Sequence, residues 1–115
     1  MIYGIGIDIV DVPRFKAAMD RRGERFLRRL FTEAELSYCL GRKNPEAHLA
    51  ARFAGKMSLF KALGRSFSFR DVEIVKDFRG APYLKSTLLL PYKCSISITH
   101  DGSLSIAETV VEVVS

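Results

Sequence analysis

Cysteine is scarce. Cys39 and Cys94 are the only two, and they do not form a CxxC pair. This argues against a disulfide framework, and no Cys/His spacing suggests zinc. Both thiols are expected to behave as small buried hydrophobes. No apolar run is long enough to cross a bilayer, and no basic-then-apolar leader opens the chain. A soluble cytoplasmic protein without membrane contact is expected. Phosphate-loop signatures are missing too: there is no GxxxxGK[ST], and no GxGxxG following a strand. Residue order gives no hint of a Ser-His-Asp triad. The basic stretches lack interleaved aromatics and contain no recognisable recognition helix, so nucleic acid is not an expected partner.

What is present suits one domain, residues 1–115, with 48% hydrophobic and 27% charged residues. Disorder does not fit that balance. The formal net charge of +5 points to an acidic partner, a nucleic acid, an acidic protein or a phosphate-rich small molecule, and charge alone does not choose among them.

The chain is organised around Gly4-Ile5-Gly6-Ile7-Asp8-Ile9-Val10-Asp11. Alternation makes this a strand with Ile5, Ile7 and Ile9 on one face. Gly4, Gly6 and Asp8 share the other face. Two glycines leave that face bare, so another element must approach the backbone closely. Asp8 is then either a solvated strand end or a carboxylate aimed at a metal or polar ligand. Asp11 can cap a helix starting at Val12-Pro13, and Gly23 interrupts it. Arg14, Arg21, Arg22, Arg25, Arg28 and Arg29 make the first thirty residues strongly basic. Such a run is either a solvated face or a dock for an anionic partner. Thr32 with Glu35 has capping-box spacing and should start a third helix.

A helix from about Glu46 to Leu63 carries Leu49, Phe53, Met57, Leu59, Phe60 and Leu63 on one broad arc. Arg52 and Lys56 project within that arc, and Lys61 lies just outside it. Cations on an apolar face either snorkel or line a pocket holding an anion. Gly64 ends the helix. Strands follow at about 72–76, 83–85 and 94–100, and Asp101-Gly102 turns into a closing strand from Leu104. His100 falls at the mouth of that hairpin, on the side shared by Cys94, Ile96 and Ile98. The expected class is α+β: an N-terminal strand, several helices, then antiparallel strands.

Three segments together carry a family resemblance: Gly4 to Asp11, Arg52-Phe53-Ala54-Gly55-Lys56-Met57-Ser58-Leu59-Phe60-Lys61-Ala62-Leu63-Gly64, and Ser95-Ile96-Ser97-Ile98-Thr99-His100. In order, spacing and chain length the sequence resembles the holo-[acyl-carrier-protein] synthases, the small trimeric 4'-phosphopantetheinyl transferases. The resemblance implies transfer of 4'-phosphopantetheine from coenzyme A to a serine of apo acyl carrier protein, releasing adenosine 3',5'-bisphosphate. It implies the fold of that family and a homotrimer with active sites between subunits. It implies Asp8, Lys61 and His100 as catalytic residues, and Arg52, Lys56, Lys61, Gly64 and His100 as coenzyme A-binding. Asp8 matches a Mg2+ ligand, and Arg14, Arg21, Arg22 and Arg25 resemble the carrier-protein dock.

That chemistry suits the residues. Attack of a hydroxyl on a diphosphate needs alignment and charge neutralisation more than covalent help. Magnesium is commonly held by one or two carboxylates plus substrate phosphates and water. One position departs from the family pattern: Met57 stands where a Glu, the second metal ligand, is expected. A thioether is a poor partner for a hard cation. The alternative expectation is therefore a catalytically impaired module that binds coenzyme A or carrier protein.

Overall fold

The structure is a computed structural model and describes residues 1–114. Its order follows the expected plan. Strand β1 (Ile2–Asp11) leads into helices α1 (Val12–Arg22), α2 (Glu24–Leu30), α3 (Glu33–Leu40) and α4 (Pro45–Leu63). Strands β2 (Glu73–Lys76), β3 (Pro82–Lys85), β4 (Tyr92–Asp101) and β5 (Leu104–Val113) follow. Antiparallel pairing gives one three-stranded sheet in the order β1-β5-β4 and a separate β2-β3 hairpin.

Local chemistry sets most boundaries. At α3 the capping box is complete: Thr32 Oγ1 accepts from the Glu35 backbone N–H, and Glu35 Oε1 accepts from the Thr32 N–H. Gly64 closes α4 in the left-handed region at φ 74°, satisfying the Phe60 and Lys61 carbonyls. Two expectations need correction. Asp11 occupies the N-cap position of α1 without a side-chain cap bond; Pro13 at N2 has no N–H to offer it, and the Val12 N–H donates to the Ser103 carbonyl at 2.8 Å. The β4-β5 turn is shifted by one residue. Asp101 pairs with Leu104, leaving Gly102 and Ser103 as the loop, with Gly102 at φ 60°. Glycine takes the positive-φ position at no steric cost.

Helix α4 is buried nearly all round, including Ala50, Ala51, Ala54, Ser58 and Ala62. It lies on the inner face of the sheet. A Cβ on Gly4 would sit 1.9 Å from the Ala62 carbonyl oxygen, and one on Gly6 would sit 2.0 Å from that of Ser58. The bare strand face is thus filled by a helix backbone. Ser58 Oγ meets Thr109 Oγ1 of the central strand at 2.7 Å. One core cluster joins Phe15, Leu27, Leu30, Phe31, Leu49 and Ala107, and a second joins Leu59, Leu63, Val72 and Val111.

The opposite face of the sheet is open. Ile5, Ile7 and Ile9 are 59%, 53% and 58% exposed. In register beside them stand Val110, Glu108 and Ile106 of β5. Three aligned isoleucines left in water on an edge strand mark an interaction surface rather than scattered exposure.

Gly6→Ala should destabilise the fold by roughly 1–3 kcal/mol or more, since the clash is with backbone that cannot move aside. Gly55→Ala should cost less, because its nearest neighbours are the flexible tips of Ile74 and Ile96. Urea unfolding of both variants checks this ranking.

Candidate active site

Placement on α4 sorts the candidate residues into an interior network and two surfaces. The interior network belongs to Lys56. Its ammonium is fully buried and donates to Glu35 Oε1 at 2.6 Å, the Phe69 carbonyl at 2.8 Å and the Leu30 carbonyl at 2.9 Å. Three partners use all three N–H bonds of an ammonium. Glu35 in turn accepts from the Ile74 N–H through Oε2. Burial pushes the Lys56 ammonium below the ordinary lysine value, with Glu35 pulling it back up. The expectation that Lys56 holds coenzyme A is therefore corrected: no donor is left, and the group joins α4 to the ends of α2 and α3 and to the turn at Phe69. It is not a snorkelling lysine either.

The first surface lies where β1 meets α4. Lys61 Nζ donates to Asp8 Oδ1 at 2.9 Å and to the Ile7 carbonyl at 3.0 Å. The Asp8 side chain is 15% exposed and that of Lys61 50%. The inward pleat of Asp8 continues the bare glycine face, so α4 delivers Lys61 directly over it. Met57, one helical turn before Lys61, lines an open cleft of about 600 Å³ together with Asp8, Asp11, Arg14, Phe15, Arg21 and Phe53. Asp8 supplies a carboxylate here and Met57 a thioether. Among the described residues no three His, Cys, Asp or Glu side chains gather into a metal-binding group.

The second surface is on the other flank of α4. Arg52 is 4% exposed, yet among the described residues it makes no salt bridge, and its Nε has no hydrogen-bond partner. Its guanidinium lies 4.7 Å from the Tyr38 ring centroid, and Nη1 donates a long 3.5 Å bond to the His48 carbonyl. Arg42 and Lys76 approach the same ring at 4.2 and 5.9 Å. Arg52, His48, Lys76 and His100 line a pocket of about 270 Å³ with Gly80, Pro82 and Ile98. Burial, and then Lys76, Arg52, Arg42 and His100, push the His48 imidazole below its ordinary value. His100 is exposed, and its Nδ1 meets Ser105 Oγ at 2.9 Å. A buried cation without a counter-ion is costly, so this pocket is prepared for an anion.

These two surfaces share no lining residue. Asp8 and His100 sit two strands apart and two residues out of register, roughly 12 Å between Cα positions by sheet geometry. Gly64 lies on neither surface and serves here as the helix cap. The arginines also divide. Arg14 and Arg21 face the Asp8 cleft, whereas Arg22 and Arg25 line a broader groove with Arg28, Arg29 and Arg70. His48, Lys76 and Arg70 were not singled out from the sequence. Only His48 carried a usable signal, its i, i+4 spacing from Arg52.

A small α+β fold with a surface Asp8–Lys61 pair and a buried Arg52 that makes no salt bridge among the described residues has the makings of a phosphate-handling transferase. The chain belongs to the 4'-phosphopantetheinyl transferase superfamily, whose family model matches residues 4–113. It is similar to holo-[acyl-carrier-protein] synthase of Protochlamydia amoebophila, with 46% identity over 109 residues, covering 87% of this chain and 89% of that protein. The corresponding Bacillus subtilis protein is 42% identical over 118 residues, covering 97% of each. Its fold is similar to that of the Bacillus anthracis synthase crystallised in complex with CoA (3',5'-ADP). The TM-score is 0.90, with 33% identity and 99% of each chain covered.

Removing one partner of the interior ion pair, by Lys56→Met or Glu35→Ala, leaves a buried charge or orphaned carbonyls. Each variant is expected to lose about 3–5 kcal/mol of stability, read from denaturant midpoints.

Proposed function

We propose that this chain transfers 4'-phosphopantetheine from coenzyme A to a serine hydroxyl of apo acyl carrier protein, leaving adenosine 3',5'-bisphosphate. The observation that carries this reading is Arg52: a buried guanidinium with no carboxylate partner among the described residues, beside His48, Lys76 and His100. That set suits the phosphates of a nucleotide. The family match and the coenzyme A complex of a similar synthase supply the substrate class.

In this reading Lys61 and Asp8 face the diphosphate. Lys61 is half exposed, so its bond to Asp8 is worth little, on the order of 0–1 kcal/mol for such pairs. It can turn from the carboxylate to a phosphate oxygen and stabilise charge on the leaving group. Asp8 suits a Mg2+ ion that takes its other oxygens from water and phosphate; Met57 does not. A bound Mg2+ would add Lewis-acid neutralisation of the diphosphate. His100 and Arg52 would hold the nucleotide end. Arg14, Arg21, Arg22 and Arg25 are all exposed and would dock the acidic carrier protein, steering its approach. Among the described residues no helix is long and apolar enough to cross a membrane; a carrier-protein substrate suits a cytoplasmic enzyme.

Asp8 and His100 lie on separate surfaces of one chain. A second copy packed on the exposed Ile5, Ile7 and Ile9 face would let two subunits contribute residues to one site. The apolar face supports a homotrimer with active sites between subunits. Met57 favours one other reading, a module that binds coenzyme A without transfer.

Given coenzyme A, Mg2+ and apo acyl carrier protein, intact-mass measurement should show one phosphopantetheine added per carrier. Asp8→Ala should slow this by about a hundredfold or more, and Arg52→Met should raise the KM for coenzyme A about tenfold. Binding of coenzyme A without any mass gain would favour the impaired module.

Ile7→Lys places a charge on the exposed isoleucine face. Sedimentation should show trimers for the parent chain and monomers for the variant, with transfer lost in parallel.

A further inference from the structure

The Asp8 cleft is an unusual place for a divalent cation. Its charged lining is Asp8, Asp11, Arg14 and Arg21, and Lys61 sits on Asp8 itself. Three cations thus stand against two carboxylates. Asp11 is three residues along β1 from Asp8, about 10 Å by strand rise, and it lines the far end of the cleft, in register with Leu104. The two acids are therefore not a chelating pair. Met57, on the helix facing Asp8, contributes a soft sulfur where a hard cation needs oxygen. A bare dication entering this cleft meets one carboxylate, already engaged by an ammonium, inside a surround of net positive charge. A dication arriving on a diphosphate meets the same cations as attractive neighbours.

We propose that this chain has no standing metal site, and that a divalent cation joins Asp8 only as a complex with the coenzyme A diphosphate. This rests on the transferase reading. The substrate would supply most of the oxygen ligands and Asp8 the carboxylate, leaving the half-exposed Lys61 free to contact a phosphate. Metal and coenzyme A are then strongly coupled ligands. Each must tighten the other by the same factor, because coupling free energies are reciprocal.

Mn2+ is the probe, followed by its EPR signal, with coenzyme A binding measured in parallel by calorimetry. The expected result with the full chain is no bound Mn2+ at millimolar metal alone. With saturating coenzyme A, protein-bound Mn2+ should appear at one per site, beyond what coenzyme A retains in a protein-free control. Adenosine 3',5'-bisphosphate, which lacks the diphosphate, should not produce it. Asp8→Asn should abolish the coenzyme A-dependent signal. Met57→Glu should bind Mn2+ without coenzyme A, about tenfold or more tighter than the parent, the scale on which changes around a metal move its affinity. Its metal-coenzyme A coupling should shrink accordingly. The parent chain decides the matter even if a variant fails to fold. Micromolar binding of Mn2+ to the free parent protein overturns the proposal, as does equal coenzyme A affinity with and without metal. Mass gain on carrier protein is scored separately. Transfer together with metal bound to the free protein sinks this inference and keeps the activity. Coupled binding without transfer does the reverse, and failure to bind coenzyme A under any condition removes both.

Discussion

Everything at the Asp8 surface depends on how closely α4 can lie on β1. The contact is backbone against side-chain-free backbone, with the Ala62 and Ser58 carbonyls pressed over Gly4 and Gly6. Any larger residue at those positions would lift the helix off the sheet. That distance sets the reach of Lys61, whose ammonium spans Asp8 and the Ile7 carbonyl of the same strand. The carboxylate and the cation are thus positioned by two glycines that take no part in chemistry. On the far flank the same helix carries Arg52 and His48, so one rigid element indexes both surfaces.

Much of this was legible in the sequence because it follows from short-range rules. The glycine alternation of β1 predicted a close neighbour, Thr32 and Glu35 predicted a cap, and the α4 stripe predicted a central helix. The family resemblance, read from three segments, agrees with the family match over residues 4–113. What the sequence did not reveal depends on partners far away in the chain. Lys56 looked like a phosphate ligand because its counter-ion, Glu35, is twenty-one residues earlier and on another helix. Periodicity locates a side chain on a face but does not say what faces it. The orphaned state of Arg52 was invisible for the same reason, since it consists of an absent partner. The Val12 N–H likewise finds its acceptor, the Ser103 carbonyl, ninety-one residues away.

Met57 shows the same limit from the other side. Its place on the apolar arc of α4 and its place on the Asp8 cleft are both real: it lines that cleft together with Phe53 and Asp8. A residue serving packing and site at once is ambiguous from sequence. The structure resolves the chemistry by its company, which is one carboxylate and an excess of positive charge. The cleft thus offers one carboxylate among Arg14, Arg21 and Lys61.

The two lysines of the α4 motif also differ as chemical targets. Lys56 is sealed with every proton engaged, whereas Lys61 keeps half its surface in water. Amine-selective reagents such as acetylating or reductive-methylating agents can reach only the second without unfolding the chain. Acylation of Lys61 would erase its charge and free Asp8. Covalent amine labelling of this motif in the native protein therefore reports on a single nitrogen, the one beside Asp8.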